Sequence, residues 1–89
     1  MIKSTLTISN KLGLHARASA KLVQLLQGYK CNAFLIHRGR EVNAKSIMGV
    51  MMLAAGIGTQ VEVETEGADE QAAMDAIATL VNDKFGEGQ

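Results

Sequence analysis

The chain has 89 residues, 47% of them apolar and 20% charged, with nine basic and nine acidic side chains. That balance suits one small folded unit spanning residues 1–89 and argues against disorder. A lone cysteine, Cys31, excludes an intramolecular disulfide; two histidines without HxxxH or CxxC spacing speak against a structural metal site; zero net charge and 3% aromatics give no reason to expect nucleic acid.

Residues 2–8 alternate, with Ile2, Ser4, Leu6 and Ile8 opposite Lys3, Thr5 and Thr7, which predicts a half-buried strand. Asn10-Lys11-Leu12-Gly13 reads as a loop. Residues 16–27 are straight-chained and Ala-rich, so a helix is predicted, with Ala18, Leu22, Leu25 and Leu26 on its buried stripe. His15 stands at or near its N-cap, and Gly28 is expected to supply a left-handed stop. Cys31 to His37 predicts a second strand. His37-Arg38-Gly39-Arg40 turns the chain, and Glu41-Val42-Asn43 returns it as a hairpin. Ser46 precedes the apolar run Ile47–Leu53 as an N-cap of a helix kept short by Gly49, Gly56 and Gly58. In residues 60–66, Val61, Val63 and Thr65 alternate with Glu62, Glu64 and Glu66, so this sheet has one dry and one wet face. Asp69 is expected to cap the last helix, whose buried stripe is Ala73, Ile77, Leu80, Val81 and Phe85.

The order is β-α-β-β-α-β-α. A sheet with one apolar face must have that face covered, and three helices are available. The expected class is α+β: a four-stranded, mostly antiparallel sheet with three helices on one side. Charge is unevenly distributed along the chain. Met1–Val61 carries eight Lys/Arg against Glu41, a net +7, and Glu62–Gln89 carries eight acids against Lys84, a net −7. This suits a basic face for an anionic group or acidic partner, and equally two solvated faces.

The chemistry concentrates in Gly13-Leu14-His15-Ala16-Arg17-Ala18-Ser19. The first N–H groups of a helix lack intrahelical partners, and the macrodipole adds positive potential there. A phosphoryl group bonded to an imidazole in that mouth would be held by free amides, with charge-assisted bonds from Arg17. The same field disfavours the imidazolium and keeps the ring nucleophilic. The competing reading is a surface histidine that merely caps a helix. His37, at a strand end, has no helix mouth and reads as structural or merely exposed. A second motif is Asn43-Ala44-Lys45-Ser46-Ile47-Met48-Gly49-Val50-Met51. Ser46 reads as a cap and as a kinase target, since a helix N-terminus tolerates phosphate. Part of the Met-rich run must stay exposed on so short a helix. No phosphate loop, dinucleotide fingerprint or nucleophile elbow is present, so no cofactor is expected.

At these residues the sequence resembles the HPr family, the histidine-containing phosphocarriers of the bacterial phosphoenolpyruvate:sugar phosphotransferase system. The resemblance rests on Asn10-Lys11-Leu12-Gly13-Leu14-His15-Ala16-Arg17 and on Lys45-Ser46-Ile47-Met48-Gly49-Val50-Met51, and it runs through the last strand and helix. It implies a βαββαβα open-faced sandwich. It implies that His15 accepts a phosphoryl group on Nδ1 from Enzyme I, charged by phosphoenolpyruvate, and passes it to an enzyme IIA domain, with Arg17 steadying the group. It implies Ser46 as the target of an HPr kinase/phosphorylase. Ala16, Ala20, Ile47, Met48 and Met51 match positions that ring the histidine and meet partners.

Two departures stand out: Ala18 where many relatives have proline, which loosens the first helical turn, and Leu12 where many have a small hydroxyl residue. The expected protein is a carrier that is itself phosphorylated rather than an enzyme, monomeric and cytoplasmic, without signal peptide or membrane insertion. The alternatives are a nitrogen-branch regulatory carrier with the same chemistry and a non-covalent α+β binding module.

Overall fold

A computed structural model describes residues 1–87. Four strands, β1 (Ile2–Thr7), β2 (Asn32–His37), β3 (Arg40–Asn43) and β4 (Gln60–Glu66), alternate with α1 (Ala16–Leu26), α2 (Ile47–Met52) and α3 (Glu70–Asn82). The order is that expected from periodicity. The sheet runs β1-β4-β2-β3, and every neighbouring pair is antiparallel. The last strand in sequence therefore lies inside the sheet, between β1 and β2.

Alternation decides the faces. Ala33, Leu35, Val61, Val63 and Thr65 point into the core, where they meet Ala18, Leu22 and Leu26 of α1, Val50 of α2, and Ala73, Ile77 and Val81 of α3. The opposite face stays open. Lys3 and Glu64 are register partners there and form an ion pair of 3.1 Å. That contact raises the Lys3 ammonium above its ordinary value, with the hydrogen bond to Glu64 as the main cause.

Arg38 and Gly39 carry φ of 51° and 78°, so the β2–β3 hairpin closes on a two-residue primed turn that matches the sheet twist.

Several local expectations are corrected. Gly28 is not left-handed; α1 ends through i→i−3 bonds from Gln27, Gly28 and Tyr29, which use the last carbonyls without a positive φ. Ser19 and Val23 are buried on α1, whereas Leu25 is only half-buried. Asp69 stands at the N-cap of α3, yet its carboxylate makes no cap bond. It accepts the N–H groups of Lys30 and Cys31, each at 2.8 Å, before the ladder of β2 begins. Those amides lie outside the β-pairing, so a carboxylate is better used there. On α3, Met74 is buried and Leu80 half-buried. The helix does not reach Phe85. It stops at Asn82, and Lys84 and Phe85 both take φ of 54°, which turns the chain back toward the start of α1.

Candidate functional site

The site is built at the mouth of α1. Gly13 has φ of +67°, and a Cβ there would lie 2.5 Å from the Ala55 carbonyl oxygen. Only glycine allows this approach. Leu14 N–H then donates to Ala55 O at 2.9 Å, and Ser19 Oγ donates to Leu14 O at 3.2 Å. The loop is thereby pinned between the 53–56 segment and α1, and it delivers His15 as the N-cap in extended conformation (φ −76°, ψ −178°).

Both ring nitrogens of His15 are engaged. Arg17 N–H donates to Nδ1 at 3.2 Å, and Nε2 lies 2.7 Å from Glu87 Oε2. An amide donor at Nδ1 and a carboxylate acceptor at Nε2 are satisfied together by the tautomer protonated on Nε2, with the lone pair on Nδ1. The imidazole remains partly open to solvent, at 27% side-chain exposure.

Glu87 is held in turn by Asn10. Asn10 is fully buried, and its Nδ2 donates to Gly13 O at 2.8 Å and to Glu87 Oε1 at 3.0 Å. The Asn10 bond, followed by the contact with His15, holds the Glu87 carboxyl below the usual carboxylate range. The cleft over His15 is completed by Lys11, Leu12, Ala16, Arg17, Lys21 and Gly86. Lys21 also reaches Phe85 O at 2.6 Å and fastens the returning tail to α1.

Of the residues singled out in the sequence, the cleft brings together His15, Ala16 and Arg17. Ala20 is half-buried one turn along α1. Ser46 does not line this cleft. It caps α2, its Oγ accepting Gly49 N–H at 3.1 Å. Ile47, Met48 and Met51 form an exposed ridge on that short helix, Met48 at 71%, and Met52 extends it. Leu12 is exposed at the cleft rim. His37 lies apart, its Nδ1 3.2 Å from Gln60 O.

Glu87 and Asn10 were missed in the sequence. Glu87 lies beyond the last periodic element, and Asn10 looked like an ordinary loop residue. The positive field expected at the helix mouth is therefore met by a carboxylate on the far side of the ring.

A two-layer α+β molecule with a histidine at a helix mouth defines the class, and comparison with known proteins defines the family within it. The family model for the PTS HPr component phosphorylation site matches residues 2–83. The phosphocarrier protein HPr of Cupriavidus necator is 58% identical over 89 residues, covering 100% of both chains. The crystal structure of HPr-C-His from Thermoanaerobacter tengcongensis superposes with a TM-score of 0.94 at 41% identity, covering 98% of each chain. A crystal structure of an HPr dimer from the same organism matches with a TM-score of 0.78 at 41% identity, covering 98% of this chain and 100% of that one. The chain belongs to the HPr family of phosphocarrier proteins of the phosphotransferase system.

Proposed function

We propose that this protein carries a phosphoryl group on His15 Nδ1, taking it from a phosphohistidine of Enzyme I and passing it to a histidine of an enzyme IIA domain. The observation that supports this best is the bonding of the ring. With Nε2–H directed at Glu87, the lone pair that can attack phosphorus is on Nδ1, at the mouth of α1. On transfer, the Nδ1–P bond forms as the donor's N–P bond breaks. Nδ1 gives up its bond from Arg17 N–H, and that amide becomes available to a phosphoryl oxygen. A loose transition state asks for alignment and charge stabilisation, which helix amides and the Arg17 guanidinium supply. The protein is the substrate of its partners and needs no acid–base pair of its own.

Ala16, Ala20, Ile47, Met48 and Met51 are the surface on which both partners dock in this reading. Ser46 is the regulatory phosphorylation site. A phosphate at the N-terminus of α2 is compatible with the helix dipole, and its charge works against an acidic partner approaching the ridge. Residues 1–89 act as one monomeric unit in the cytoplasm.

The test is incubation with Enzyme I and phosphoenolpyruvate. The expected product has gained the mass of one phosphoryl group, labile to acid and stable to base. His15→Ala removes the gain and His37→Ala keeps it. Modification elsewhere, or survival in His15→Ala, overturns the assignment. With ATP and an HPr kinase, Ser46 gains an acid-stable phosphate, and Ser46→Asp slows transfer from Enzyme I. Unchanged transfer refutes the electrostatic account of Ser46.

A further inference from the structure

Arg38 and Arg40 belong to the basic half of the chain and take no part in the His15 cleft. His37 and Arg40 face each other across the β2–β3 register, with the Arg38-Gly39 turn between them. Arg40 Nη1 donates to Met52 O at 2.8 Å, which ties the hairpin to the end of α2. Two grooves open here and share His37 and Arg38. One is lined further by Arg40, Leu53 and Ala54, the other by Ile57 and the segment leading into β4. Ile57 in the second groove and Met52, whose carbonyl Arg40 holds, are each 61% exposed.

No carboxylate lines either groove. Among the described residues, none lies within ion-pair distance of Arg38 or Arg40. The His15 cleft differs, because Glu87 already supplies it with an anion. Uncompensated cations beside large exposed apolar side chains are complementary to an acidic polypeptide that also presents apolar groups. Nucleic acid is a poorer match, since neither groove is lined by a Phe, Tyr or Trp on which bases would stack. The surface is continuous with the α2 ridge through Met52.

We propose that the pole formed by His37, Arg38, Arg40, Met52 and Ile57 is a docking surface for an acidic, apolar-bearing segment of a partner polypeptide, separate from the phosphoryl-exchange site. It does not depend on phosphorylation of His15.

The test is an amide-resolved NMR titration of the intact 15N-labelled protein with a blocked peptide of alternating Glu and Leu. Shifts are expected at Arg38, Gly39, Met52, Ile57 and Gly58, and they fade at about 1 M salt, where the Debye length is about 3 Å. Arg38→Glu weakens binding about tenfold, as expected for loss of about 1.4 kcal/mol. Arg38→Gln, which keeps the length and removes the charge, weakens it by less. A peptide with Ser in place of Leu binds more weakly than the parent. Shifts confined to Lys11, Arg17 and Lys21, or no shifts, overturn the proposal. So does equal affinity in Arg38→Glu, equal affinity for the Ser peptide, or tighter binding of an oligothymidylate at the same residues.

Discussion

Asn10, Glu87 and His15 form a chain of three side chains, and their contacts favour the ring tautomer that keeps its lone pair on Nδ1. Asn10 Nδ2 takes one oxygen of Glu87 and leaves the other for Nε2 of His15. Because Asn10 is fully buried, Asn10→Ala leaves Gly13 O and one Glu87 oxygen without their donor, a loss of about 1–3 kcal/mol. Thermal denaturation checks that figure. Glu87→Ala keeps the Asn10–Gly13 bond and removes the acceptor at Nε2 together with the second acceptor of Asn10 Nδ2. The expected outcome is a smaller fraction of the Nε2–H tautomer by 15N NMR, with slower phosphoryl transfer and little change in fold. An unaltered tautomer ratio means that the helix mouth alone orients the ring. His15 could be found from sequence because capping is local. Glu87 could not, since it meets His15 across 72 residues of chain.

At the scale of elements, the short helix α2 depends on its cap. Six residues make few intrahelical bonds, and Ser46 Oγ satisfies one of the free amides at the start. Ser46→Ala should cost about 1 kcal/mol, measured by denaturant titration, and should speed amide exchange in Ile47–Met52. Asp69 joins two elements instead of capping one. Its carboxyl is held below the ordinary value, mainly by the Lys30 N–H with help from Cys31 N–H. A depressed carboxylate contributes stability above its unfolded pKa of about 3.9, and that contribution is lost as pH falls through the lower folded value. Asp69→Asn should therefore melt below wild type at neutral pH, with the gap closing in acid. A gap independent of pH places the effect in packing rather than ionisation. Gly67 presses on Cys31 at this junction, where a Cβ would lie 2.8 Å from the Cys31 Cα. From sequence Asp69 reads only as a helix cap, because the Lys30–Cys31 segment that uses its carboxylate lies 38–39 residues away.

Across the whole molecule, stability follows sheet position. β4 and β2 each pair on both sides, whereas β1 and β3 are edges. Native-state hydrogen exchange should find the slowest amides in β4 and β2 and faster ones in α2 and residues 54–58. Slowest exchange in β1 would contradict the strand order. Charge is redistributed at this scale too. The basic and acidic halves meet at Lys3–Glu64, at the Met1 amine with Glu70, and at His15–Glu87. The N-terminal amine is the main reason that Glu70 sits below its ordinary value. Among the described residues most basic side chains lie outside these three contacts, and Arg38 and Arg40 are the two that share the hairpin pole.

Strand and helix identity, the one-sided sheet and the motif around His15 were determined by the sequence itself, because side-chain period, capping and helix-end amides act within a few residues. Tertiary structure alone decided that β4 enters between β1 and β2, that α3 stops short of Phe85, and that Asn10 and Glu87 close on the imidazole. Each of those depends on which distant segments can satisfy one another's backbone groups and charges once the core is packed, and no local pattern encodes that choice.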